Sequence, residues 1–68
     1  MALSARNNLH GTVQSVETDG LMAEVVVDVG DGQSVTAIIT SGSVERLDIE
    51  AGDEVDAVVK ATEVMIEK

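Results

Sequence analysis

Apolar side chains recur at every second position along most of the chain, which is the period of half-buried β-strands. Val13 and Val16 mark a first segment over about residues 8–17, closed by the turn residues Thr18-Asp19-Gly20. Leu21, Ala23, Val25, Val27 and Val29 then alternate with Met22, Glu24, Val26 and Asp28, so one face of a second strand is wholly apolar and the other mixed. Gly30-Asp31-Gly32 follows, and Asp-Gly between two β-rich runs is a strong hairpin signal. A third strand, about 33–40, carries Val35, Ala37 and Ile39 on one face and Thr36, Ile38 and Thr40 on the other.

The period changes at residue 41. In Ser41-Gly42-Ser43-Val44-Glu45-Arg46-Leu47 a serine cap precedes Val44 and Leu47 at i, i+3 spacing, which predicts one short helical turn. Glu50-Ala51-Gly52-Asp53 makes another turn. Alternation returns in a fourth strand, about 54–61, through Val55, Ala57 and Val59, and in a fifth, about 62–67, through Val64 and Ile66. Five short strands with a helical turn between the third and fourth predict an all-β fold, a small OB-like barrel. A length of 68 residues fits one domain spanning residues 1–68.

Composition narrows the function. Thirteen acidic residues against four Lys and Arg give a net charge of −9, and Cys, Pro, Phe, Tyr and Trp are all absent. Without cysteine there is no disulfide framework and no thiolate metal site. Without aromatics there is no base-stacking platform, and the acidic balance repels a phosphate backbone, so nucleic acid is not the expected partner. No apolar run approaches the roughly 20 residues that span a bilayer, and no signal-peptide core opens the chain, so a cytoplasmic protein without a membrane partner is expected. A domain this small, with neither disulfides nor large aromatics, is short of core. Shared burial between subunits is the remaining way to hide the 44% of residues that are hydrophobic.

The four cations are Arg6, Arg46, Lys60 and Lys68. Arg46, beside Glu45, reads as part of an exposed helix face, and Lys68 as a solvated terminus. Ser4-Ala5-Arg6-Asn7 gathers a hydroxyl, a guanidinium and an amide in one short stretch. Lys60 shares a strand face with Asp56 and Val58. Arg6 and Lys60 either balance neighbouring carboxylates or contribute to an anion site with hydroxyls and backbone N–H groups. Gly30-Asp31-Gly32 lacks the ligand spacing of a calcium loop. His10 has no partners at metal-ligand spacing. Ser4, His10 and Asp19 share no nucleophile-elbow pattern, so neither a metal nor catalytic residues are expected, and the chain does not read as an enzyme.

Ser4-Ala5-Arg6-Asn7 followed by Leu9, Gly11 and Val13 resembles the S-A-R-N-x-L-x-G-x-V opening of the molbindin (Mop) domains. The likeness continues through Ala23-Glu24-Val25, Ile39-Thr40 with Ser43, Leu47 and Gly52-Asp53-Glu54-Val55, and closes with Lys60-Ala61-Thr62-x-Val64-Met65-Ile66. It covers nearly the whole chain and matches the free-standing, single-domain type. The resemblance implies a barrel that dimerises by strand exchange, with three dimers forming a homohexamer that binds molybdate, or tungstate, at subunit interfaces. By similarity the oxyanion site draws Ser4, Arg6, Lys60 and Ala61 from one side, and Thr40 and Ser43 from another subunit. Arg6 and Lys60 would offset the two negative charges. The Ser4 and Ser43 hydroxyls, with backbone N–H groups near Thr40 and Ala61, would donate to the oxygens. Intracellular oxyanion storage without catalysis is the expected function. The alternative is a hexameric scaffold or regulatory module related to molybdate transport, with weak or no ligand binding. The excess of acid also resembles the surfaces of halophile proteins, which predicts an assembly that loosens at low salt.

Overall fold

The computed structural model describes residues 6–68. Its elements are β1 (Asn7–Asp19), β2 (Met22–Gly30), β3 (Gln33–Thr40), helix α1 (Ser41–Leu47), β4 (Glu54–Val59) and a single 3-10 turn (Ala61–Glu63). The strands form one antiparallel sheet in the order β3-β2-β1-β4, curled into an OB-like half-barrel.

β1 is longer than the sequence pattern indicates because it serves two partners in turn. Residues 7–12 pair with β4, from Asn7↔Val59 to Thr12↔Glu54, and residues 12–19 pair with β2, from Thr12↔Asp28 to Asp19↔Met22. The handover is marked by a register irregularity between Val13 and Ser15, of the kind that bends a strand and increases its twist. Beside it the Val13 N–H donates to the Asp53 carbonyl and the Gly52 N–H to the Val13 carbonyl, each at 2.8 Å. Gly11 permits the close approach there: a Cβ at that position would lie 2.3 Å from the Asp28 carbonyl oxygen. The Asp-Gly hairpin forms as the sequence indicates. Asp31 and Gly32 both have positive φ, 56° and 74°, and Gly30 pairs with Gln33 across them.

The apolar face of β2 becomes the centre of the core. Ala23, Val25 and Val27 are buried with Val13 and Val44, and Val16, Val29, Ile39, Ile49 and Val55 pack around them. Leu21, on the same alternation, is left out in the tight turn and is 85% exposed.

Two expectations change. The cap of α1 is Thr40 rather than a serine: its Oγ1 accepts from the Ser43 N–H at 3.0 Å. Among the described residues there are four strands rather than five. β4 ends at Val59, and residues 61–63 wind into the 3-10 turn, closed by the Glu63 N–H donating to the Lys60 carbonyl at 2.9 Å. Val64, Met65 and Ile66 are exposed and pair with no strand among the described residues. Alternation records which face of a segment is apolar, but a strand also needs a neighbouring ladder, and both outer strands leave this segment unpaired.

The inner faces of β3 and β4 do not meet. Val35, Ala37 and Ile39 on one side and Val55, Ala57 and Val59 on the other line an open apolar groove of about 840 Å³.

Candidate oxyanion-binding site

The cations at the start of β1 and the end of β4 are brought together by register. Asn7 pairs with Val59, and its Nδ2 also donates to the Val59 carbonyl at 3.3 Å. One step beyond that pair in each strand stand Arg6 and Lys60, both exposed. Among the described residues neither lies within salt-bridge distance of a carboxylate; the ion pairs found join His10 to Glu54 and Asp56. The reading in which Arg6 and Lys60 balance neighbouring acids is therefore not what the structure has. Ala61 follows Lys60 as the first residue of the 3-10 turn and is half-buried. Its N–H, at the head of that turn, has no acceptor within it. Ser4 lies outside the described residues.

Thr40 and Ser43 form a second group, built by the junction of β3 and α1. Thr40 ends β3 opposite Met22, and its side chain turns onto the first turn of α1. Its Oγ1 accepts from the Ser43 N–H and donates to the Ser43 Oγ at 2.8 Å. The Ser41 N–H donates to the Leu21 carbonyl at 2.8 Å, and the Ser41 hydroxyl bonds the Gly20 and Met22 carbonyls, at 2.8 and 3.1 Å. Those contacts tie the helix to the β1–β2 turn. They also engage the N–H groups of Ser41 and Ser43, which leaves the hydroxyls and the Gly42 N–H as donors on this side. Arg46 joins the group: its Nη2 donates to the Ser43 Oγ at 3.2 Å. Sequence reasoning left Arg46 on an outward helix face. The signal that finds it is the i, i+3 spacing of Ser43 and Arg46, which places the two side chains on one helix face.

The two groups stand apart within one chain. Thr40 pairs with Met22, which pairs with Asp19 at the far end of β1, whereas Arg6 and Lys60 sit at its start. No hydrogen bond among the described residues links them. The first group offers two cations and a backbone N–H, the second hydroxyls and one cation, and each is only part of a cradle around a tetrahedral anion. A second concavity, at the Thr40 end of the sheet, is lined by Glu17, Asp19 and Glu24 and so repels anions.

Comparison with known proteins places the chain in a family. Residues 3–66 match the model of the TOBE domain. Molybdenum-pterin-binding protein 3 of Clostridium pasteurianum is 46% identical over 66 residues, which is 97% of each chain. The solved structure of a molybdate binding protein from Sporomusa ovata superposes with a TM-score of 0.90 at 43% identity, covering all of both chains. MopII from Clostridium pasteurianum superposes at 0.89 with 45% identity, over 96% of this chain and 97% of the other. With the TOBE match spanning nearly its full length and relatives of this identity over the same span, the chain belongs to the TOBE-domain family, in its molbindin (Mop) group.

Proposed function

We propose that this protein binds molybdate, or tungstate, at interfaces between its own copies and stores or buffers the oxyanion in the cytoplasm without catalysis. The observation that carries the reading is the division of the candidate donors. Arg6, Lys60 and the Ala61 N–H stand at one end of the sheet and Thr40 with Ser43 at the other, so a complete cradle needs two chains. Ser4 would add a hydroxyl on the Arg6 side. The relatives named for molybdenum-pterin or molybdate binding support the choice of ligand.

The energetics favour this arrangement. A unit charge pair at 4 Å is worth about 4 kcal/mol at an effective dielectric of about 20. Two cations free of carboxylate partners can therefore hold a dianion on a chain of net charge −9. The open groove and the exposed Leu47, Val58, Val64, Met65 and Ile66 supply apolar surface for association. A homohexamer built as a trimer of strand-exchanged dimers is the proposed assembly, with residues 1–68 as its single-domain unit. No helix among the described residues is long and apolar enough to cross a membrane.

Equilibrium dialysis against molybdate in high KCl, with a large excess of sulfate and molybdenum counted per subunit, tests the reading. Saturable binding that sulfate does not displace is expected. A folded, oligomeric sample that binds nothing would overturn the storage role and leave the scaffold alternative.

A further inference from the structure

Three hydrogen bonds converge on the Thr40–Ser43 group, and they determine which way its hydroxyl proton can point. A serine hydroxyl has one hydrogen to donate and two lone pairs with which to accept. Both lone pairs of the Ser43 Oγ are occupied, by the Thr40 Oγ1 hydroxyl at 2.8 Å and by the Arg46 Nη2 at 3.2 Å. The Thr40 oxygen in turn accepts from the Ser43 N–H at 3.0 Å while its own hydroxyl is directed at the Ser43 Oγ. Only the Ser43 hydrogen is left to point outward. Arg46 lies in the last turn of α1, yet its guanidinium reaches back over the start of the helix. Its Nη1 is near enough to Gly42 that a Cβ there would stand 3.3 Å away. The absence of that carbon leaves room for the guanidinium to lie over the helix start.

We infer that Arg46 is a positioning residue of the oxyanion site: with Thr40 it fixes the Ser43 hydroxyl as a donor, and it brings a third positive charge to the edge of the cradle. Thr40 then serves mainly through Ser43 rather than by giving its own proton to the ligand. A dianion gains from a donor that is already oriented, because no hydroxyl rotor has to be ordered on binding. Arg46 fits this role better than lysine, since a planar guanidinium can hold Ser43 with one nitrogen while its remaining N–H groups and its charge face the ligand. This inference rests on the oxyanion reading above.

The test is molybdate binding, with molybdate itself as the probe, at two KCl concentrations. It compares the full chain with its Arg46→Gln and Arg46→Lys variants. Circular dichroism and sizing on the same samples establish that each is folded and assembled. Arg46→Gln is expected to weaken binding about tenfold, the scale of one charge-assisted hydrogen bond, and to flatten the dependence of affinity on salt. Arg46→Lys should restore the salt dependence and part of the affinity, a pattern that loss of packing alone would not produce. Unchanged affinity in a folded Arg46→Gln variant would overturn the role of Arg46 and leave the oxyanion reading standing. A parent protein that is folded and assembled but binds no molybdate would overturn the oxyanion reading, and the role of Arg46 with it.

Discussion

His10 carries the chain's only ion pairs among the described residues, and it holds two strands together at an exposed point. Its Nδ1 lies 2.8 Å from Asp56 Oδ1, directly across the β1–β4 ladder, and its Nε2 lies 3.2 Å from Glu54 Oε1. The hydrogen bond to Asp56, then that to Glu54, raises the imidazole pKa above its ordinary 6.5. A histidine that holds its proton more tightly when folded stabilises the fold fully below the unfolded value, and that contribution disappears as pH rises through the folded value. The β1–β4 pairing is therefore expected to melt at lower temperature at pH 8 than at pH 6. His10→Gln should abolish most of that difference when melts are compared at constant salt. At the proposed ligand site the expected losses are in affinity. Arg6→Ala and Lys60→Ala should each weaken molybdate binding roughly 10- to 100-fold, the worth of one charged hydrogen bond to a dianion, as read by dialysis. At this scale the sequence conveyed the rarity of the cations but not their company. Arg6 and Lys60 are 54 positions apart and meet only because Asn7 registers with Val59, whereas Arg46 met Ser43 through a spacing visible in the sequence.

Among the elements, what was legible followed from local chemistry and what was not depended on partners. The Asp31-Gly32 hairpin formed where its φ-permissive residues stand, and the apolar face of β2 went inward, because turn type and alternation are properties of a few adjacent residues. The length of β1 was hidden, since its middle residues change neighbours at Thr12 and alternation does not record which strand lies alongside. The fifth strand failed for a related reason: Val64 and Ile66 have the right period but no ladder among the described residues. Among the described glycines, Gly11 is the one where an added Cβ meets backbone. A Cβ there would press on the Asp28 carbonyl oxygen at 2.3 Å and on Val27 Cγ1 at 2.8 Å. Backbone cannot give way as a side-chain end can, so the β1–β2 pairing would have to open. Gly11→Ala is expected to destabilise the protein by about 2–3 kcal/mol, the upper range for overpacking, as a lower urea midpoint with an unchanged slope. Unaltered stability would show that the two strands separate here at no cost.

For the whole molecule, the balance lies between apolar surface that favours association and charge that opposes it. Among the described residues the only buried hydrophobic side chains are Val13, Ala23, Val25, Val27 and Val44, while Met65 and Ile66 are 92% and 89% exposed. At about 0.01 M salt the Debye length is about 30 Å, well beyond the 12.4 Å radius of gyration, so nearly every carboxylate of one chain acts on those of its neighbours. At about 1 M it falls to about 3 Å, and only groups in contact interact, whereas apolar burial persists. Assemblies of a chain with charge −9 are thus expected to shift to smaller species as KCl is lowered, followed by sizing across a salt series. Molybdate should oppose that shift even though it adds negative charge. A ligand held between chains binds only the assembled form and stabilises it by mass action, here through the proposed contacts with Arg6, Lys60 and Ser43, which at that range screening barely reaches. The decisive comparison is low-salt sizing with and without molybdate, in parent and Lys60→Ala protein. Restoration of the large species in the parent alone would tie the anion to the interface. Equal restoration in both would mean that molybdate acts there only as a salt.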